Sequence, residues 1–253
     1  MSLDACAVLV ERGDPDRFAA LMAAPMAARP KLLPLYAFNL ELARAPWVTA
    51  EPMIAEMRLQ WWRDVVAEAA PRAHEVAAPL HALITGANLP VPVLDRLAAA
   101  RVWDVYPDPF EDEVALRGYL DDTAGGLMWL SALALGAQAE AESVVRDFAF
   151  GAGLANYLRA VPVLEERGRR PLVDGRPAAV RRLASEGLAA LARARAKRSV
   201  VAAAWPALLP GWQAAPLLAQ VVRKPNLVAD GTMGLSEFSR RGRLLWQAAT
   251  RRW

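Results

Sequence analysis

Cysteine is almost absent from the 253 residues: Cys6 stands alone, so no intramolecular disulfide can form and a cysteine-based metal site is excluded. That usage fits a reducing compartment. Histidine is scarce too. His74 and His81 lie in a proline-rich stretch with no cysteine or carboxylate at metal-ligand spacing, and both read as surface residues. No long Gly/Ser-rich or low-complexity stretch interrupts the chain, which argues for one domain over residues 1–253. The opening Met1-Ser2-Leu3-Asp4-Ala5-Cys6 has no basic region ahead of an apolar core, so it does not read as a signal peptide, and the cytoplasm is the expected location. No Ser-His-Asp order, nucleophile elbow or phosphate-binding glycine loop is present, so those chemistries have no support.

Long apolar runs are also missing in the form a membrane span needs. Residues 123–139 and 199–222 carry no charge, but the first is short and rich in Ala and Gly, and the second is broken by Pro206, Pro210 and Pro216. Both read as buried helices with their turns, with contact to a membrane surface as the lesser alternative for the second.

What the chain does have is alanine, leucine and arginine. Hydrophobic residues make up 55% and charged residues 23%, with few β-branched runs, a mix that favours helices packed on helices and an all-α fold. The net charge of +3 hides a division: residues 1–150 hold 12 basic against 21 acidic residues, and residues 151–253 hold 18 against 6. The basic half suits phosphate, anionic lipid or an acidic partner, although interleaved solvated faces such as Arg193, Arg195, Lys197 and Arg198 also produce such a bias. No recognition motif accompanies the charge, so nucleic acid is not expected as a partner.

Helical spacing runs from Asp16 to about Ala28, and Pro30 sits where the next helix begins. From Lys31 to Arg44 the chain is apolar on nearly every side, as a central helix would be. Pro46 ends it, and Thr49 is placed to cap a helix whose buried face is expected to be Ile54, Met57, Trp61 and Val65. A looser region over 71–92 precedes a helix through Leu94, Leu97 and Val102, stopped at Tyr106-Pro107-Asp108-Pro109. Long helices are expected over 111–136, containing Gly125-Gly126, and over 140–161, containing Gly151 and Gly153. Glycine inside a helix costs roughly 1 kcal/mol relative to alanine, so these notches are expected to admit a neighbouring helix or a ligand. Helices over 177–204, 212–222 and 236–253 complete the pattern.

Several spaced segments then resemble one family. Leu35-Tyr36-Ala37-Phe38-Asn39, Arg58-Leu59-Gln60-Trp61-Trp62-Arg63, and Tyr119 followed by Ala124-Gly125-Gly126-Leu127-Met128 are similar, in order, to landmarks of the squalene/phytoene synthases. Asn156-Tyr157-Leu158-Arg159 with Gly168-Arg169 keeps the frame of that family's second acidic motif. The resemblance covers most of residues 16–222 and implies the isoprenoid synthase fold, a helical bundle around a central cavity in which two prenyl diphosphates would be joined head to head.

In such an enzyme, Asp pairs at i and i+4 on opposing helices hold the magnesium ions that grip diphosphate. Here Ala160 and Leu164 stand where the second motif has Asp, and Ala43 and Trp47 stand where the first has them. Magnesium requires hard oxygen ligands, which these four positions lack, and Pro162 between the second pair is expected to kink or end the helix. No substitute is found. Asp64 and Glu68 read as a solvated pair, Asp121 and Asp122 point in different directions on a helix, and Glu41 alone makes a poor cage. Neither a metal nor another cofactor is therefore expected, magnesium entering only if the chain is a prenyltransferase with divergent ligands.

Tyr36, Glu41, Tyr119, Asn156, Arg159, Gly168 and Arg169 remain as ligand-binding candidates in a hydrophobic cavity bordered by the glycine notches. Asn156 and Arg159 are its expected polar groups. Arg159 and Arg169 are alternatively paired with helix ends or with acids such as Glu165. The run Ala37-Phe38-Asn39-Leu40-Glu41-Leu42-Ala43 and the Leu158-Arg159-Ala160 stretch followed by Pro162 look most like a branch of the family with the same losses, which includes a respiratory complex I assembly factor. The resemblance implies a non-catalytic protein that assists assembly or binds a partner, either a respiratory complex subunit or an isoprenoid lipid, with peripheral membrane contact as a further element. A head-to-head prenyltransferase and an isoprenoid carrier are the rival readings.

Overall fold

The computed structural model describes residues 3–49 and 51–253, which form helices and turns with no strand among them. In chain order the helices are α1 (Leu3–Gly13), α2 (Pro15–Ala23), α3 (Arg29–Arg44), α4 (Pro52–Ala67), α5 (Ala77–Ala87), α6 (Val91–Ala100), α7 (Glu113–Leu120), α8 (Gly126–Ala134), α9 (Glu142–Glu166), α10 (Pro177–Ala196), α11 (Ala214–Arg223) and α12 (Glu237–Thr250). Residues Asp121–Gly125 make a π-helical turn between α7 and α8.

Two helices carry the centre. Helix α3 starts with Pro30 in its first turn, where a missing N–H costs nothing, and buries residues on all sides, from Leu32 to Leu42. It packs on α1 and α8. Helix α9 runs for 25 residues and packs on α10, α11 and the π turn. Glycine decides how close α9 and α10 come: a Cβ on Gly151 would lie 2.5 Å from Leu191 Cγ and 2.8 Å from the Gly187 carbonyl oxygen. The Gly151 notch thus serves helix packing.

Several expectations are corrected. Helix α1 lies ahead of the 16–222 stretch that carries the resemblance, yet its Cys6 and Val10 are fully buried, and burial pushes the Cys6 thiol up to about 11. The hydrophobic cluster also extends past residue 222, to Leu244 and Trp253. The 71–92 stretch contains α5, because Pro79 falls in its first turn, where it is tolerated. The buried face of α4 is Ala55, Leu59, Trp62, Val65 and Val66, so only Val65 of the expected stripe is buried, while Ile54 and Met57 are exposed. Ala55 makes the α4 seam close, and a pattern weighted toward large side chains passes over it. Thr49 Oγ accepts from the Glu51 N–H at 3.1 Å one turn ahead of α4 and does not cap the helix itself.

Pro162 does not end α9, which continues to Glu166. His74 and His81 are half-buried, not free surface residues. The His74 ring lies 5.3 and 5.1 Å from the rings of Trp61 and Trp62, and His81 Nε2 is 2.9 Å from the Ala69 carbonyl. Among the described residues no helix is long and apolar enough to cross a membrane.

Candidate functional site

Helices α3, α4, α7 and α9, with the turn over 101–107, surround a cavity of about 870 Å³. That volume lies in the upper range for small-molecule sites. Ala43 and Trp47 border it from one side, and Ala160 and Leu164 from the other, so all four positions at which the sequence lacks aspartate face the same space. Leu120, Ala124, Leu127, Gly153 and Tyr157 supply much of the remaining apolar wall.

The charged groups on this wall are mainly guanidiniums. Arg17, Arg101, Arg167 and Arg169 border the cavity, and Asp104 is the single carboxylate among its lining residues. Arg101 donates to Asp104 at 3.1 Å, to the Tyr119 hydroxyl at 3.0 Å and to Asn39 Oδ1 at 3.3 Å, and the Tyr119 hydroxyl donates to Asp104 at 2.9 Å. Burial, reinforced by Asp104 and opposed by Arg101, pushes the Tyr119 hydroxyl upward, so it stays protonated as a donor. Desolvation works against the charge on Arg101, but Tyr119 and Asp104 outweigh it and raise its pKa.

The end of α9 aims a further cation inward. Gly168 takes φ +77°, its N–H bonding to the Glu165 carbonyl at 2.8 Å, and the Arg169 N–H returns to the Leu164 carbonyl at 3.1 Å. This is a Schellman-type cap, which a residue with a side chain adopts only with strain. The reversal carries Arg169 back over the Trp103 ring, 4.0 Å from its centroid, where it donates to the Trp103 carbonyl at 2.8 Å and to the Asp104 carbonyl. Trp103 stacks in turn on Phe110 at 3.8 Å. Arg167 lies 3.7 Å from the centroid of Trp47, so a cation covers a residue at one lost acidic position. No carboxylate among the described residues pairs with Arg167.

The ligand-binding candidates divide. Tyr119, Asn156 and Arg169 border the cavity, and Gly168 positions Arg169. Tyr36 does not border it: the side chain is buried beneath Arg17, with its hydroxyl pushed up to about 12 by burial. Glu41 does not border the cavity and lies 3.7 and 3.6 Å from Arg44 and Arg58. Arg159 leaves the cavity and reaches Asp16 of α2 at 3.3 Å, where Gln213 donates at 2.8 Å and Arg240 of α12 also binds. Its acidic partner is thus Asp16, not Glu165. Of the glycine notches, only Gly153 reaches the cavity; Gly126 faces Val93 and Leu97 of α6, and Gly125 faces Asp121.

Arg101, Asp104, Arg17, Arg167 and Trp103 were not singled out from the sequence. Arg101 and Asp104 follow an amphipathic helix and precede a Pro-rich turn, where the pattern reads simply as an end. Their spacing of three is the only local signal, because the partners Asn39 and Tyr119 lie far away in sequence.

The donor set does not fit magnesium. The four positions where carboxylates would stand offer two Ala, one Leu and one Trp, and the charges that remain are mostly cationic. Among the described residues no group of three or more His, Cys, Asp or Glu converges as a metal site. Asp121 and Asp122 are engaged elsewhere, at 2.9 Å from Arg146 and 3.7 Å from Arg96. Asp64, half-buried, and Glu68, exposed, lie beside Arg72. The wall as built can accept an anion directly through guanidinium groups and enclose an apolar chain.

Comparison with known proteins identifies the family and the fold. The family model described as Squalene/phytoene synthase matches residues 10–174. The chain is 25% identical over 166 residues to "NADH dehydrogenase (ubiquinone) complex I, assembly factor 6" of Mus musculus, covering 64% of this chain and 50% of that protein. It is 25% identical over 161 residues to the Homo sapiens protein of the same name, covering 62% and 48%. The chain spans about half the length of these curated relatives. Among solved structures, squalene synthase HpnC from Alicyclobacillus acidocaldarius superposes with a TM-score of 0.74 at 18% identity, over 88% of this chain and 93% of that one. A dehydrosqualene synthase in complex with ligand gives 0.68 at 13%, over 98% and 95%. The isoprenoid synthase fold follows from these likenesses.

Proposed function

The chain belongs to the squalene/phytoene synthase family, and from that premise we propose that it is a non-catalytic member, a single cytoplasmic domain that assists assembly of a respiratory complex. One observation carries the reading: the four positions that lack aspartate converge on one retained cavity whose charged lining is predominantly cationic. A synthase needs divalent cations there to draw off diphosphate. The proteins named as complex I assembly factors, which match over about half their length, supply the direction of the functional assignment.

The test separates respiration from isoprenoid synthesis. Deletion of the gene is expected to lower NADH:quinone oxidoreductase activity and to leave squalene-derived and phytoene-derived lipids unchanged. Purified protein given magnesium and farnesyl or geranylgeranyl diphosphate is expected to release no squalene or phytoene. Product that disappears on chelation of the metal, with normal respiration in the deletion strain, would restore the prenyltransferase.

A second observation favours a ligand within the same protein. Arg167 and Arg169 face the cavity without a paired carboxylate, so an amphiphile with an anionic headgroup and an apolar chain suits the space without magnesium. An isoprenoid phosphate and a phospholipid share that chemistry. Calorimetric titration in EDTA with farnesyl monophosphate and with a short-chain phosphatidic acid distinguishes them, and failure of both removes the ligand while leaving the assembly role to the genetic test.

A further inference from the structure

Helix α12 carries two apolar stripes. At about 100° per residue, Leu244, Gln247 and Ala248 turn toward the protein, where Leu244 and Gln247 are buried. On the opposite side Phe238, Leu245 and Trp246 are 90%, 67% and 53% exposed, and Gly242 and Ala249 lie in the same arc. A surface helix ordinarily gives that outer arc to charged side chains. Here charge occupies the two margins instead, Arg241 on one edge and Arg243 on the other.

Arg252 extends the basic margin, its guanidinium 5.6 Å from the centroid of the Trp246 ring, and further cations lie behind it. Arg251 and Arg198 share a surface recess with Trp205 and Trp253, and Arg195 donates to the Trp253 carbonyl at 2.9 Å. Burial, followed by the nearby charge of Arg243, lowers the pKa of Arg195, which places a further cation beside this edge. Glu237 is the one carboxylate on α12, and Arg240 and Arg241 already engage it at 2.8 and 2.7 Å. The helix is held in place independently of this face, by Ser236 at its N-cap and by the Asp16–Arg240 pair.

We propose that the outer face of α12 docks on an anionic lipid bilayer, with Phe238, Leu245 and Trp246 entering the headgroup region and Arg241, Arg243 and Arg252 meeting lipid phosphates. Apolar and aromatic residues in one arc, cations along its edges and few acids are the features by which a helix lies in a membrane interface. A nucleic-acid surface would use the cations but leave the apolar ridge in water. Nothing in this assignment depends on what the cavity holds or on the assembly role.

Flotation of the full chain with vesicles tests it. Vesicles of phosphatidylcholine containing roughly a third phosphatidylglycerol are expected to carry the protein upward, whereas phosphatidylcholine alone leaves it at the bottom, and about 0.5 M NaCl reduces the bound fraction several-fold. Leu245→Glu with Trp246→Glu, and separately Arg241→Gln with Arg243→Gln, are each expected to lower the anionic-vesicle partition coefficient about tenfold or more. Thermal melts report whether the variants remain folded, as expected for exposed positions. Wild-type binding that is absent, equal on neutral vesicles, or unchanged in both folded variants would overturn the proposal. So would a dimer in solution that Leu245→Glu dissolves without any lipid binding, which would assign the face to a second copy of this chain.

Discussion

The two long faces of α9 differ in what they can tolerate. On one, Asn156, Ala160 and Leu164 border open space. On the other, Gly151 lies against α10 with no room for a methyl group, while Arg159, between the two, is drawn into the Asp16 junction beneath α12. Two arginines that keep their motif spacing have therefore gone different ways: Arg169 lines the cavity, and Arg159 helps pin the last helix. Survival of a spacing in sequence does not preserve a side chain's task. Its partner decides that.

The comparison is broken most severely at Gly151. Gly151→Val is expected to lose about 3 kcal/mol, because the added atoms meet Leu191 and a backbone carbonyl that cannot rotate away, whereas Ala160→Val on the open face should change stability by no more than about 0.5 kcal/mol. Urea melts of the two variants measure the difference. Equal losses would mean that the cavity face is as sealed as the other.

A smaller contrast separates the two arginines. Arg169→Ala leaves the Trp103 and Asp104 carbonyls without their donor and uncovers an indole face, for an expected loss of about 2 kcal/mol. Arg159→Ala should cost under about 1 kcal/mol, because its side chain is 41% exposed and Arg240 and Gln213 remain on Asp16. Larger destabilisation from Arg159 would show that the junction beneath α12 matters more than the cavity wall.

Acid titration sharpens the same comparison. Burial alone would raise the Asp16 carboxyl, but the Gln213 hydrogen bond and the charges of Arg240 and Arg159 outweigh it and hold its pKa below 3.8. A carboxyl depressed in the folded state contributes stability that is complete above its unfolded value and is lost as pH falls through the folded one. Wild-type stability should therefore fall more steeply than that of Asp16→Asn as the pH drops below about 4. Parallel acid limbs in denaturant melts at each pH would remove Asp16 from the account.

Much of this architecture was legible because helices announce themselves locally. The largely apolar α3, Ser236 ahead of α12 and the glycines of α9 are read from neighbours a few residues apart. The empty acidic positions were legible for the same reason, as fixed offsets within a motif. The seam of α4 was misplaced because Ala55 supplies close approach where larger residues advertise burial. The polar cluster of the cavity was missed because Asn39, Arg101 and Tyr119 meet only after the bundle closes, and no periodicity encodes a meeting across 62 residues.

Pro162 leaves α9 with a gap in its backbone hydrogen bonding. It has no N–H for the Leu158 carbonyl, so one rung of the ladder is missing between the segment bearing Asn156 and the segment that ends at Arg167. The proline ring rests beside Gly231, in the turn that precedes α12. The interruption in the backbone ladder of α9 therefore sits against the chain that leads into the last helix.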